Sequence, residues 1–325
     1  MTSQANCALP RGFQIDRYRI ERQISVGGFS IVYLAFDTDG TPVALKEYLP
    51  SALALRKEGE TEPQVPAQNL AIFRYGMLCF FEEGRALARL MHPNVVRVLN
   101  FFRANGTVYM VMQYERGHTL QEHIRHREGD LAESFVRKLF TRMLNGLREV
   151  HSHKLLHLDI KPANIFLRND GTPVLLDFGA ARQTLSASKP MLKPMYTPGY
   201  APPEQYSGAA SRQEKGIRAD LGPWSDIYSV GASLHTCLTG KPPQRADERL
   251  KQDELMALTE RCAERYSSEL LELVDWCLQL DPMQRPQSVY AVQKILLSHL
   301  HADNGRPASR FANRNIRLQT FIERD

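Results

Sequence analysis

Apolar positions between Tyr18 and Lys46 come in short runs: Tyr18-Arg19-Ile20, Ile31-Val32-Tyr33-Leu34-Ala35 and Val43-Ala44-Leu45-Lys46. With Gly27-Gly28 and Asp39-Gly40 as breaks, the pattern predicts three strands joined by tight turns. Glu47 to Asn69 is rich in proline and charge, with a short helix expected at Ser51–Arg56. The period then lengthens. Phe80, Leu87 and Leu90 lie at helical spacing in a helix expected from Leu70 to Met91, which Pro93 stops. Val95–Phe102 and Thr107–Tyr114 predict two strands meeting at Asn105-Gly106, a strong hairpin signal. From Glu133 onward the pattern is helical, with Phe135, Leu139, Met143, Leu147 and Val150 on one stripe. Further helices are expected at Trp224–Thr239, Leu250–Cys262, Ser268–Leu280 and Ser288–His299. A mostly-β part before a larger helical one predicts an α+β fold without internal repeats.

Composition narrows this picture only a little. A chain of 325 residues can bury a sizeable core, expected here as two lobes. The net charge of +5 is mild, and no stripe interleaves Lys and Arg with exposed aromatics, so nucleic-acid binding is not expected. Five cysteines (Cys7, Cys79, Cys237, Cys262, Cys277) are scattered without a CxxC pair, which favours free thiols in a reducing compartment over disulfides or zinc. Met1–Pro10 lacks the basic start and apolar run of a signal peptide, and no stretch reaches the ~18 apolar residues of a membrane span, so a cytoplasmic protein is expected. The stretch Asp303–Asp325 carries Arg306, Arg310, Arg314, Arg317 and Arg324 with little apolar content, and reads as a flexible or lobe-packed tail before a docking or autoregulatory one.

The chemistry concentrates in His157-Leu158-Asp159-Ile160-Lys161-Pro162-Ala163-Asn164, followed by Asp177-Phe178-Gly179. One loop can aim its Asp, Lys and Asn at a single point, and a second Asp follows a short strand and turn later. Phosphoryl transfer asks for such a set: a carboxylate to orient a hydroxyl, a cation for the moving group, and oxygen ligands for Mg²⁺. The block resembles the catalytic and metal-binding loops of eukaryotic-like (Hanks-type) bacterial Ser/Thr protein kinases, and other motifs of that family follow in order from about Arg17 to about Leu300.

The resemblance implies a bilobal kinase fold: an extension over 1–13, a small β-rich N-lobe with one long helix over 14–113, a mainly helical C-lobe over 114–302, and the basic tail over 303–325. It implies roles residue by residue. Ile24-Ser25-Val26-Gly27-Gly28-Phe29-Ser30-Ile31-Val32 is similar to the glycine-rich loop, with serines where the first and third glycines stand, so Ser25, Val26, Gly27, Gly28 and Phe29 would meet phosphates. Lys46 would hold the α- and β-phosphates and pair with Glu83, the helix carboxylate chosen over its neighbour Glu82. Backbone groups of Gln113 and Glu115 would bond adenine, sandwiched by Val32, Ala44, Met112 and Phe166. Asp159 would be the catalytic base, Lys161 would neutralise the γ-phosphoryl, and Asn164 with Asp177 would hold Mg²⁺. The implied cofactors are ATP with Mg²⁺ or Mn²⁺, and the implied partners are protein substrates and a cognate protein phosphatase, with neither nucleic acid nor membrane insertion.

Thr197-Pro198-Gly199-Tyr200 and Pro202-Pro203-Glu204 resemble the substrate-docking segment and its closing motif, with a Glu204–Arg285 pair and Asp226 beneath the catalytic loop implied. Small-molecule kinases of related fold lack that segment, and Lys161 with Thr197 follows the Ser/Thr rather than the tyrosine pattern. His151-Ser152-His153 with His157 mimics a metal cluster, but His157 reads as the packed histidine before the catalytic loop, stacking with Phe178, Leu87 and Val98. Glu47-Tyr48-Leu49-Pro50 and its long linker look like a bacterial subgroup, some of whose members are encoded near type VI secretion genes. The pattern departs at Leu158, where most regulated kinases carry an arginine for an activation-loop phosphate (a non-RD, HLD loop). Independence from phosphorylation at Thr184, Ser186 and Ser188 is the expectation, with autophosphorylation there or at Thr197 still allowed. Ser25, Ser30 and Leu158 also motivate a rival, a pseudokinase acting as a nucleotide-binding scaffold.

Overall fold

The computed structural model describes residues 6–127, 131–178, 196–206 and 221–298. Its first sheet is built from β1 (Gln14–Ile15), β2 (Tyr18–Val26), β3 (Ser30–Phe36), β4 (Pro42–Tyr48), β5 (Val98–Ala104) and β6 (Thr107–Gln113). They pair antiparallel in the order β1-β2-β3-β4-β6-β5. Strand β3 buries Ile31, Tyr33 and Ala35 and leaves Val32 and Leu34 half-buried, the period-two signature of a pleated strand. Strand β6 is buried from Thr107 to Met112 because α1 (Leu70–Leu87) lies against it. Gly84 permits that approach: a Cβ there would stand 3.1 Å from Cε of Met110. The hairpin turns at Asn105 (φ +46°) and Gly106 (φ +65°), the two left-handed positions of a type I′ turn.

Two expectations in this lobe need correcting. Helix α1 ends at Leu87 rather than Met91, and the chain turns through Leu90 before Pro93. The short helix at Ser51–Arg56 does not form. Leu53 and Ala54 donate to the Pro50 carbonyl in one turn, Leu55 bridges to Gln64, and Arg56 is drawn fully inside. A tertiary ion pair overrides the local helical preference there.

The second half places β7 (Gly117–Thr119), β8 (Ile165–Arg168) and β9 (Pro173–Leu175) in a small sheet beside α2 (Leu120–His126) and α3 (Glu133–Ser152). Thr119 and Glu122 form a reciprocal capping box at the start of α2. The α3 stripe buries Leu139, Met143, Leu147 and Val150, with Phe135 half-buried. After α4 (Pro203–Tyr206), α5 (Pro223–Thr239) is buried almost throughout, and α8 (Ser268–Cys277) and α9 (Val289–Ser298) pack on α5 and α3.

Of the expected helix Leu250–Cys262 only α7 (Leu258–Arg261) forms, and α6 (Ala246–Arg249) ends just before the expected start. Asp253 grips Arg249 with both oxygens and takes the Leu255 amide, while Asp275 takes the Leu258 amide. Such side-chain to backbone bonds compete with the helical ladder. Among the described residues one hydrophobic core fills the second lobe and another fills the first and reaches across to Val150, Val174 and Phe178, and no helix is long and apolar enough to cross a membrane. The lobes are stitched at Asn94, whose Nδ2 donates to the Pro173 carbonyl and whose carbonyl takes the Leu175 amide.

Candidate active site

Between the lobes lies a cavity of about 340 Å³. Its roof is the exposed turn between β2 and β3, contributing Ser25, Val26, Gly27, Gly28 and Phe29, with Val32 behind. Gly27 closes the turn by donating its amide to the Ser30 carbonyl at 2.9 Å. Lys46 of β4 and Glu83 of α1 line one wall, and Asp159, Lys161, Asn164 and Asp177 line the floor.

Three of the floor residues form one hydrogen-bonded knot. Lys161 Nζ lies 3.0 and 3.2 Å from the Asp159 carboxylate oxygens, and Thr197 Oγ1 donates to Asp159 Oδ1 at 2.8 Å. Lys161 also reaches Thr197 Oγ1 at 2.7 Å. Asn164 Nδ2 donates to the Asp159 carbonyl at 2.8 Å and to Oδ2 at 2.9 Å. Asp159 is thereby fixed in rotamer with Lys161 against its charge, and it is only 7 % exposed. Across the cavity Lys46 Nζ donates to Asp177 Oδ1 at 2.8 Å, from an Asp177 backbone at φ +49°.

The loop carrying Asp159 is held from below. Asp226, fully buried on α5, accepts the His157 amide at 2.9 Å and the Leu158 amide at 2.7 Å, and its Oδ2 lies 2.7 Å from His151 Nε2. Leu158 sits at φ +60°, which costs a non-glycine residue free energy, and the carboxylate holds it there. The His157 ring stacks on Phe178 at 4.4 Å. Its Nε2 faces the Leu176 carbonyl at 2.9 Å, while Nδ1 accepts the Asp159 amide at 3.3 Å. The carbonyl can only accept, so Nε2 carries the proton and the ring is neutral. His151 and His157 thus have structural partners.

Behind the floor, Glu204 and Arg285 meet in a two-pronged pair at 2.8 and 3.0 Å, both unexposed. Ser225 also donates to Glu204, and Arg285 donates to the carbonyls of Gln279, Trp224 and Leu280.

The other ring-binding candidates lie beyond this lining. Ala44 faces Met112 across the β4–β6 ladder, and Ala44 and Phe166 pack on the first-lobe core. The Gln113 amide is committed to the Arg97 carbonyl, so that amide is not the atom to meet a base. Both Glu115 oxygens are clamped by Arg168 at 2.6 and 2.7 Å, which leaves the backbone of Glu115 for recognition. Arg168 had no motif to mark it in the sequence. Thr184, Ser186 and Ser188 lie outside the described residues.

A family model described as the protein kinase domain matches residues 18–297. The chain is 32% identical over 244 residues to serine/threonine-protein kinase B of Synechocystis sp., covering 71% of this chain and 38% of that protein. It is 30% identical over 279 residues to serine/threonine-protein kinase PknA of Nostoc sp., covering 83% and 45%. The chain therefore spans less than half the length of these two relatives. Among solved structures, PpkA-294 in its apo form matches with a TM-score of 0.79 and 35% identity, over 89% of this chain and 99% of that one. The PknI kinase domain of Mycobacterium tuberculosis shares the fold, with a TM-score of 0.67 at 21% identity over 90% and 100%.

Proposed function

This chain belongs to the protein kinase family, and we propose that it is a bacterial Ser/Thr protein kinase moving the γ-phosphoryl of ATP to protein hydroxyls. The observation that carries the reading is the knot of Asp159, Lys161 and Thr197 on the floor of a cleft roofed by a glycine-bearing turn. Relatives named as Ser/Thr-protein kinases support it.

In this reading Asp159 accepts the proton of the incoming hydroxyl, and Lys161 offsets the charge that gathers beside it. Thr197, bonded to both, holds the pair at the spacing that a hydroxyl substrate enters. Lys46 sits opposite, placed to meet phosphate oxygens beneath the Gly27-Gly28 turn. The carboxylate of Asp177 and the amide oxygen of Asn164 are hard oxygen donors of the kind that suit Mg²⁺ or Mn²⁺, which would balance phosphate charge when bound. Gln113 and Glu115 are the adenine-facing backbone, with Val32, Ala44, Met112 and Phe166 as the apolar slot. Glu83 completes the set as the carboxylate on α1 that lines the wall with Lys46.

Leu158 supports a non-RD enzyme whose geometry does not wait for a phosphate on the activation loop. It is nearly buried and held by Asp226, and it has no charge to pair with one. Autophosphorylation, protein substrates in cytoplasmic signalling and reversal by a protein phosphatase follow from this reading.

The test is transfer of labelled γ-phosphate from MgATP to the protein itself and to a generic basic protein. Wild type is expected to transfer, and Asp159→Asn and Lys46→Ala to lose the signal. MgATP binding without transfer in the wild type would instead favour the nucleotide-binding scaffold.

A further inference from the structure

Just after β4 the chain folds back against the first lobe, with Leu49, Pro50, Leu53, Ala54 and Arg56 buried. The Leu49 amide donates to the Phe29 carbonyl at 2.7 Å, and Ser51 reaches the Gly28 carbonyl with its amide at 3.0 Å and its hydroxyl at 3.3 Å. Both acceptors belong to the turn that roofs the cavity. The segment thus carries the β3–β4 ladder, whose last pair is Ser30 with Tyr48, past the strand and onto the turn.

A buried ion pair holds the segment in place. Arg56 donates to the two Glu47 oxygens at 2.6 and 2.7 Å, and neither side chain is exposed. Arg56 also donates to the Tyr33 hydroxyl at 2.9 Å, which in turn donates to Glu47 at 2.7 Å, while the Tyr109 hydroxyl donates to the other oxygen. Burial, with the Glu47 charge alongside, pushes both tyrosine hydroxyls well above their ordinary range, so they stay donors. Asn6 closes the cluster, accepting the Arg56 amide at 2.7 Å and donating to the Leu49 and Ala54 carbonyls. The Leu53 carbonyl then takes Asn69 Nδ2 at 3.2 Å, just before α1, the helix that bears Glu83.

From this geometry we infer that Arg56 and Ser51 are positioning residues for the nucleotide. The Glu47–Arg56 pair docks residues 49–56, and the docked segment holds the glycine-bearing turn over the phosphate end of the cavity. The inference rests on the kinase reading above. Residues 22–28 are exposed, and pairing with β3 holds them only as far as Val26, so without the tether the tip at Gly27-Gly28 would be left to the single Gly27–Ser30 bond and more of its ordering would fall on each binding event. A buried pair that fixes register rather than adding stability is the best-attested use of such pairs. Adjacent residues of β4 serve both ends: Lys46 faces the cavity and Glu47 the anchor.

Ser51 is the second residue of the turn that Leu53 closes on Pro50, where proline is favoured. Ser51→Pro therefore removes the amide donor while keeping the turn, and Ser51→Ala removes only the hydroxyl. The test measures the Kd for MgADP, the Tm without nucleotide, and amide exchange over residues 25–31. Ser51→Pro is expected to raise the Kd about fivefold or more and to speed exchange in the turn, with Tm held within about 2 °C. Ser51→Ala is expected to stay within about twofold. The pair replacement Glu47→Leu with Arg56→Met should weaken MgADP in the same direction; if it fails to fold, Ser51→Pro decides alone. An unchanged Kd in Ser51→Pro would overturn the inference, whatever its Tm. Wild type that binds no MgADP would overturn the kinase reading and the positioning role with it, and the exchange rates would still report whether the segment ties the turn.

Discussion

The amide of Leu158 donates to Oδ1 of Asp226 across 2.7 Å, from a left-handed backbone that leucine seldom occupies. Asp226→Asn keeps the shape but turns one acceptor into a donor facing an N–H. Hydrogen bonds to a buried charge contribute about 1.5–3 kcal/mol each, so losing one should lower Tm and relax the Asp159 loop. A fall in kcat of about tenfold or more is expected, with nucleotide affinity nearly unchanged. Steady-state kinetics beside thermal melting separate the two effects.

Thr184, Ser186 and Ser188 changed together to alanine should leave transfer to an added protein within about threefold of wild type. Leu158 offers no cation to an activation-loop phosphate, so nothing at that position rewards its presence. A loss of tenfold or more, about 1.4 kcal/mol, would reverse this expectation.

Glu204 and Arg285 do not behave as a simple pair. Arg285→Ala should cost about 3–5 kcal/mol in urea unfolding, because it strands a buried carboxylate. Replacing both with Leu and Met removes that stranded charge. It should still leave the protein destabilised by about 2 kcal/mol or more, since the carbonyls of Gln279, Trp224 and Leu280 lose their donor.

His235 sets an acid limit on stability. Burial lowers its pKa from 6.5 to about 4, and its Nδ1 meets the Lys241 carbonyl at 3.0 Å. Because the folded-state pKa lies below the unfolded one, the unfolded chain binds the proton first. Stability is therefore full above about pH 6.5 and declines as pH falls toward 4, by up to about 3 kcal/mol. His235→Asn keeps a donor for Lys241 without titrating, so its melting temperature should fall less between pH 7 and pH 4.5.

Much of the fold and of the floor was readable from the chain. The period-two runs, the Asn105-Gly106 turn and the α3 stripe each follow a local rule, and Asp159, Lys161 and Asn164 are close neighbours in sequence. What escaped was decided at a distance. Nothing local says that Arg56 in a charged, proline-bearing linker is fully buried, or that Asn6 in the extension bonds to it. The break between α6 and α7 comes from Asp275, well down the chain, as much as from Asp253. The Arg168 clamp on Glu115 joins residues 53 apart with no motif to mark it. Side chains that bond over such separations leave no period behind.

The alternation of Lys46 and Glu47 along β4 also proofreads how that strand is threaded. A slip by one residue would turn the carboxylate into the cleft and bury the ammonium among Tyr33, Tyr109 and Arg56, three groups arranged for an anion. Misthreading is penalised twice, on opposite faces of one strand. A chain that has closed the Arg56 cluster has therefore already committed its lysine to the correct side.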